Sequence, residues 1–188
     1  MAGGRSAGSG GIESKHRKAG WGTAWRPGFA RIAKGAFPAL LLLCAVPAGA
    51  ASNKVRITNL GDVAFGSVAN LSTDAVQSQS LCLYADTATN GYNVRASGSG
   101  AGGAFTLASG GNNLPFDVQW SSASGQSSGT QLTANVALSG QVSNAAQQTC
   151  NNGPATTASL IVILRSAALS SAAAGPYNGS LTLIVGAE

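Results

Sequence analysis

Residues 113–122 read NLPFDVQWSS, in which Leu114, Phe116, Val118 and Trp120 alternate with Pro115, Asp117, Gln119 and Ser121. A period of two sends successive side chains to opposite faces of an extended chain, so a strand with one apolar face is expected here. Pro115 has no N–H to give to a ladder, which puts the beginning of that strand at a sheet edge. The same period recurs on both sides. Tyr92, Val94 and Ala96 share a face in YNVRAS (92–97), and Leu132, Ala134, Val136 and Leu138 share one in QLTANVALS (131–139). SLIVILRS (159–166) is apolar on both faces, as suits a central strand covered on two sides or one packed against an inserted partner. KVRITNL (54–60), VAFGSV (63–68), SLCLYAD (80–86), AFTLA (104–108) and SLTLIV (180–185) complete a set of about eight short strands, and no stretch carries a helical period. The expected fold is all-β, a β-sandwich.

Two connections carry more detail. TATNG (87–91) joins SLCLYAD to YNVRAS, and Asn90-Gly91 is a hairpin signal because both residues tolerate the positive φ of a tight turn. The last strand, with Leu181, Leu183 and Val185 alternating, runs to within three residues of Glu188. A strand of core quality in that place is expected to be half of an unfinished edge.

The formal charge of +5 vanishes from the folded part once the charges are placed. Seven basic residues between Arg5 and Lys34 face only Glu13, so residues 1–50 carry +6 and the remainder carries −1. No nucleic-acid partner is expected. The first 50 residues have the anatomy of a secretory signal: a basic region, the apolar run AFPALLLLCAVP (36–47), and AGA, with cleavage expected between Ala50 and Ala51. About a dozen apolar residues fall short of the roughly 20 that a membrane-spanning helix needs, so no stable membrane insertion is expected. Cys44 follows Leu43, not the small residue a lipid-attachment site wants, and is expected to leave with the leader. The exported part, 51–188, is read as a single domain. It retains two cysteines, Cys82 and Cys150, and an even count in an exported chain argues for a disulfide.

Catalysis is poorly served. The one histidine, His16, lies in the leader, and the exported part keeps a single lysine, Lys54. Serine or cysteine nucleophiles therefore have no histidine base beside them. Asp62, Asp74, Asp86 and Asp117 are scattered singly among turns and read as solvated residues, not as an acid–base pair. GSGAGG (98–103) has the spacing G-x-G-x-x-G after a strand, but AFTLASGG follows it where a phosphate-binding helix would have to begin. No cofactor, no metal site and no enzyme activity is expected. Trp120 could stack on a sugar, which leaves a self-complete secreted sandwich that binds carbohydrate as the alternative, but its place on the apolar face favours the core.

Four segments carry a resemblance. DVAFGSV (62–68), LCLYADTATNGYNVRASGSG (81–100), LPFDVQW (114–120) and AAGPYNGSLTLIV (173–185) together resemble the spore coat protein U family, which includes subunits of archaic chaperone–usher pili. The resemblance covers essentially all of the exported part. It implies an immunoglobulin-like sandwich lacking its last strand, completed by a strand donated from a neighbouring subunit. It also implies a periplasmic chaperone, an outer-membrane usher and other pilus subunits as partners, with passage through the periplasm to a structural or adhesive role in a surface fibre. The groove for the chaperone and the donor strand would be lined by Leu181, Leu183 and Val185, with Ile161 and Ile163 on the opposite side. Family members usually bond the cysteine matching Cys82 to one just before the Phe65-Gly66 pair. That cysteine is missing here, so Cys150 is left as the partner. Family members also carry an alternating N-terminal extension, whereas cleavage after Ala50 leaves three residues before KVRITNL. Either KVRITNL is the domain's first strand and the subunit sits at a fibre tip, or it is itself the donor, with Val55, Ile57 and Leu60 as anchors.

Overall fold

A computed structural model describes residues 53–188; the leader, its cleavage point between Ala50 and Ala51, and Cys44 lie outside the described residues. Ten strands follow one another: β1 (Lys54–Thr58), β2 (Ala75–Asp86), β3 (Gly91–Gly98), β4 (Thr106–Ser109), β5 (Asn112–Pro115), β6 (Asp117–Ser121), β7 (Thr130–Gln131), β8 (Ala137–Val142), β9 (Ala158–Leu164) and β10 (Leu181–Ala187). One turn of helix, α1 (Ser166–Leu169), separates β9 from the loop that leads to β10. The strands form a five-stranded sheet in the order β1-β2-β9-β6-β7, a three-stranded sheet in the order β10-β3-β8, and the small hairpin β4-β5. All the ladders are antiparallel. The chain is an all-β sandwich.

The core lies between the two main sheets, and strand alternation decides its membership. Leu81, Leu83 and Ala85 of β2, Val118 and Trp120 of β6, and Leu160, Val162 and Leu164 of β9 meet Tyr92, Val94 and Ala96 of β3. Trp120 donates its indole N–H to the Tyr92 hydroxyl at 3.0 Å, and the two rings meet edge to face. That bond gives a partner to the polar end of each large ring in an apolar interior. Burial pushes the Tyr92 phenol above its ordinary range, and the Trp120 hydrogen bond offsets part of that shift.

β9 is central, as a strand apolar on both faces should be, with β2 and β6 on its flanks and every residue buried. NLPFDVQWSS is not one strand but two. It breaks at Phe116, so that β5 pairs with β4 through Thr106 opposite Pro115, and β6 joins β9. QLTANVALS is also interrupted. Asn135 takes a left-handed conformation (φ 64°), gives its N–H to Ala96 and its side-chain amide to the carbonyl of Gly102. The apolar row therefore splits, with Leu132 buried and Val136 exposed. Asn90, at φ 53°, makes the tight turn expected of it, but the strands it joins go to different sheets. It is a crossing between layers, not a hairpin.

Cys82 and Cys150 form a disulfide, with Cα atoms 6.0 Å apart and a sequence separation of 68. Cys82 points away from the core, and the bond draws the segment before β9 over it. Two hydroxyls from that segment continue the β9 ladder. Thr157 accepts from the N–H of Leu83 and donates to its carbonyl, both at 2.9 Å, and Ser143 donates to the same carbonyl at 2.6 Å.

Candidate functional site

β10 is an edge strand. Its pairing to β3 runs from Leu181 opposite Gly98 to Ala187 opposite Tyr92. Among the described residues, no strand lies hydrogen-bonded along its other side. β1 comes beside β10 without pairing to it, and binds β2 instead, from Lys54 opposite Asp86 to Thr58 opposite Cys82. Val55 and Ile57 of β1 are partly buried against the core, while Leu60 beyond it is exposed. In this structure KVRITNL is the domain's own first strand, and the anchors Val55 and Ile57 serve its own core.

After Thr58 the chain leaves the sheet. From Asn59 to Asp74 it forms no strand, contrary to the expectation for VAFGSV. Gly66 stands at φ 63°, which interrupts the alternation begun by Val63 and Phe65. Between this stretch and β10 opens a groove of about 970 Å³. Its floor is Leu160, Val162 and Leu164 of β9 with Phe116, one wall is Leu181 and Leu183, and the other is the irregular stretch from Leu60 to Leu71. Leu169 and the 172–180 loop close one end. Among the described residues, Asp62 is the sole charged one in the lining, so the groove's floor offers an apolar bed and little field to a charged ligand.

Leu181 and Leu183 line the groove. Val185, also half-buried against the core, sits beyond the lining. Ile161 and Ile163 are a correction. Directly opposed residues on neighbouring strands share a face, and Leu160 stands opposite Trp120 and Val162 opposite Val118, both in the core. Ile161 and Ile163 therefore point to the outer face, between Ser78 and Gln119 and between Val76 and Asp117. The loop after β6 is tied across that face. The N–H groups of Gly125 and Gln126 bond the hydroxyls of Ser80 and Ser159, and Gly129 bonds Gln119. The missed lining residues, Leu160, Val162 and Leu164, were one position away in a strand whose sequence has no polar face to mark which side is in.

The scattered carboxylates do not assemble a reactive pair. Asp74 and Asp117 are brought together by Arg165, whose guanidinium reaches Asp117 at 2.6 Å and Asp74 at 2.8 Å. Asp74 also accepts the N–H of Ser166 at the start of α1. That backbone bond first, and the Arg165 guanidinium second, hold the Asp74 carboxyl below its ordinary value. The group anchors α1, from which Leu169 turns to the groove's end. GSGAGG makes a short turn before β4, where a side chain at Gly98 or Gly100 would run into the backbone of Ala104. Trp120 is buried in the core and is not a sugar-stacking surface. Among the described residues no cluster of His, Cys, Asp or Glu could hold a metal ion, and no helix is long and apolar enough to cross a membrane.

No protein-family model matches the chain, and no curated protein matches it significantly. Among solved structures, it is similar to a chain from a chaperone–tip adhesin complex described as vital for synergistic activation of CFA/I fimbriae biogenesis, with a TM-score of 0.47 and 16% identity. The match covers 72% of this chain and 41% of that one, so this chain spans less than half the length of the structure it resembles.

Proposed function

We propose that this protein is a structural, non-catalytic subunit of an extracellular fibre assembled by the chaperone–usher route, and that its groove receives an extended strand from another molecule. One observation carries the reading: a groove with an apolar floor runs beside an edge strand whose outer main chain has no partner among the described residues. A strand entering it gains main-chain hydrogen bonds from β10 and places alternate side chains on Leu160, Val162, Leu181 and Leu183. The seven residues of β10 span about 23 Å at roughly 3.3 Å each, which sets the length of strand that can be received. Left empty, the same edge invites pairing between copies, which is the hazard a periplasmic chaperone would remove. β1 is spent within the domain by its pairing to β2, which supports a position at the end of a fibre, where a strand is accepted and KVRITNL is not donated.

The test is Leu183→Asp, which sets a carboxylate into the groove wall. The expected result is wild-type export and disulfide formation with loss of chaperone co-purification and of fibre incorporation. A variant recovered with its chaperone and in fibres at wild-type yield refutes the reading. Gold-labelled antibody along the whole shaft refutes the terminal position alone.

A further inference from the structure

Resting on that reading of the groove, we propose that residues 61–68 are a displaceable strap. In the free chain the strap lies along the groove held by side chains alone, and it becomes a hydrogen-bonded strand when the groove is filled.

The first observation is a bare stretch of β2. Of its twelve residues, Cys82–Asp86 pair with β1, and Ala75–Leu81 pair only with β9 on the other side. The strap runs beside that bare edge without joining it. Asp62, Val63 and Ala64 face Gln77, Ser78 and Gln79 across a gap of about 270 Å³. Gly61 bridges the gap through its N–H to the side-chain oxygen of Gln79, at 3.1 Å.

The second observation is main-chain bookkeeping. Among the described residues, no backbone group from Asn59 to Asp74 is hydrogen-bonded to another backbone group. Yet Val63, Phe65 and Val68 are partly buried against the core, and Asp62 and Ala64 between them are exposed. From Asp62 to Phe65 the segment has the alternation and the burial of a strand, but neither of its ladders. Segments with few main-chain bonds open at low free energy, so side chains alone make a weak hold.

The arrangement is β2's bare edge, then the strap, then the groove, then β10's bare edge. A strand entering the groove meets β10 on one side and the strap on the other. Pairing with the strap straightens it, and a straightened strap extends β1 along Ala75–Leu81. Filling the groove thus completes two ladders at once, and until then Phe65 and its neighbours cover part of an edge that would otherwise recruit copies.

Amide hydrogen exchange of two full-chain proteins tests this. One is the chain itself. The other carries, after Glu188, a four-residue turn and a second copy of Ser180–Ala187, an alternating strand able to fold back beside β10. In the unextended chain the amides of 61–68, apart from Gly61 with its bond to Gln79, are expected to exchange as if unprotected, while Leu83–Asp86 stay slow and report that the domain is folded. In the extended chain both 61–68 and those amides of Leu181–Ala187 that point away from β3 are expected to slow by on the order of 100-fold. Protection of 61–68 in the unextended chain overturns the strap. So does a protected Leu181–Ala187 beside an unprotected 61–68, which leaves the groove reading intact. Protection of neither in the extended chain overturns the groove reading and the strap together.

Discussion

Replacing both Cys82 and Cys150 by alanine removes the tie between β2 and the segment before β9, and the size of the effect follows from the length of chain enclosed. Cross-linking residues 68 apart lowers the entropy of the unfolded chain enough to stabilise the fold by about 4 kcal/mol in the chain-entropy model. Against a total of roughly 5–15 kcal/mol for a domain, that is a large fraction. The fold also loses local order. Without the bond, the Thr157 and Ser143 hydroxyls alone hold the segment to Leu83. Urea unfolding of the oxidised wild type and the double variant is the assay. For a denaturant slope of about 2 kcal/mol/M, the midpoint should fall by about 2 M. Cys82 and Cys150 are 0% and 5% exposed, so the native wild type should also resist thiol labelling after brief treatment with reductant, and become labelled only when unfolded. A midpoint lowered by less than about 0.5 M at unchanged slope would refute the entropic reasoning. Free thiols in freshly exported protein would refute the bond itself.

Tyr92→Phe leaves the buried Trp120 N–H without its acceptor and should cost about 1–3 kcal/mol, read as a lowered thermal midpoint; an unchanged midpoint means another acceptor is within reach. Val162→Ser should weaken strand uptake by the groove, whereas Ile163→Ser, on the outer face, should leave uptake at wild-type level whatever it does to stability. Equal losses in the two variants would put the wrong face of β9 in the groove. Asp74 has its carboxyl lowered from the ordinary 3.8, so its contribution is present above that value and lost as pH falls through the lower folded value. Urea midpoints at pH 6 and pH 3 should therefore fall less in Asp74→Asn than in the wild type; identical falls would show that the Asp74 carboxylate does not act in folding.

In two of the single-faced segments, alternation alone told which residues lie inside. Leu114, Phe116, Val118 and Trp120 are all buried, as are Tyr92, Val94 and Ala96. The turn at Asn90 was equally legible, because tolerance of positive φ is a local property of that residue. So was β9 as a central strand, since only a strand covered on both sides can bury seven residues in a row. What the turn joined was not legible. A tight turn sets the direction of the chain but not the sheet it enters, and here β2 and β3 part into opposite layers. The breaks at Phe116 and Asn135 were hidden for a similar reason, since each is made by partners far along the chain: Phe105 accepts the N–H of Phe116, and Ala96 accepts that of Asn135. The candidate site divides in the same way. Leu181 and Leu183 could be named because Thr182 between them marks the outer face of β10. The floor could not, because in SLIVILRS both faces are apolar and no residue marks the inside. Only the register against β6, with Trp120 opposite Leu160 and Val118 opposite Val162, turns the even-numbered residues of β9 into the groove and leaves Ile161 and Ile163 behind it.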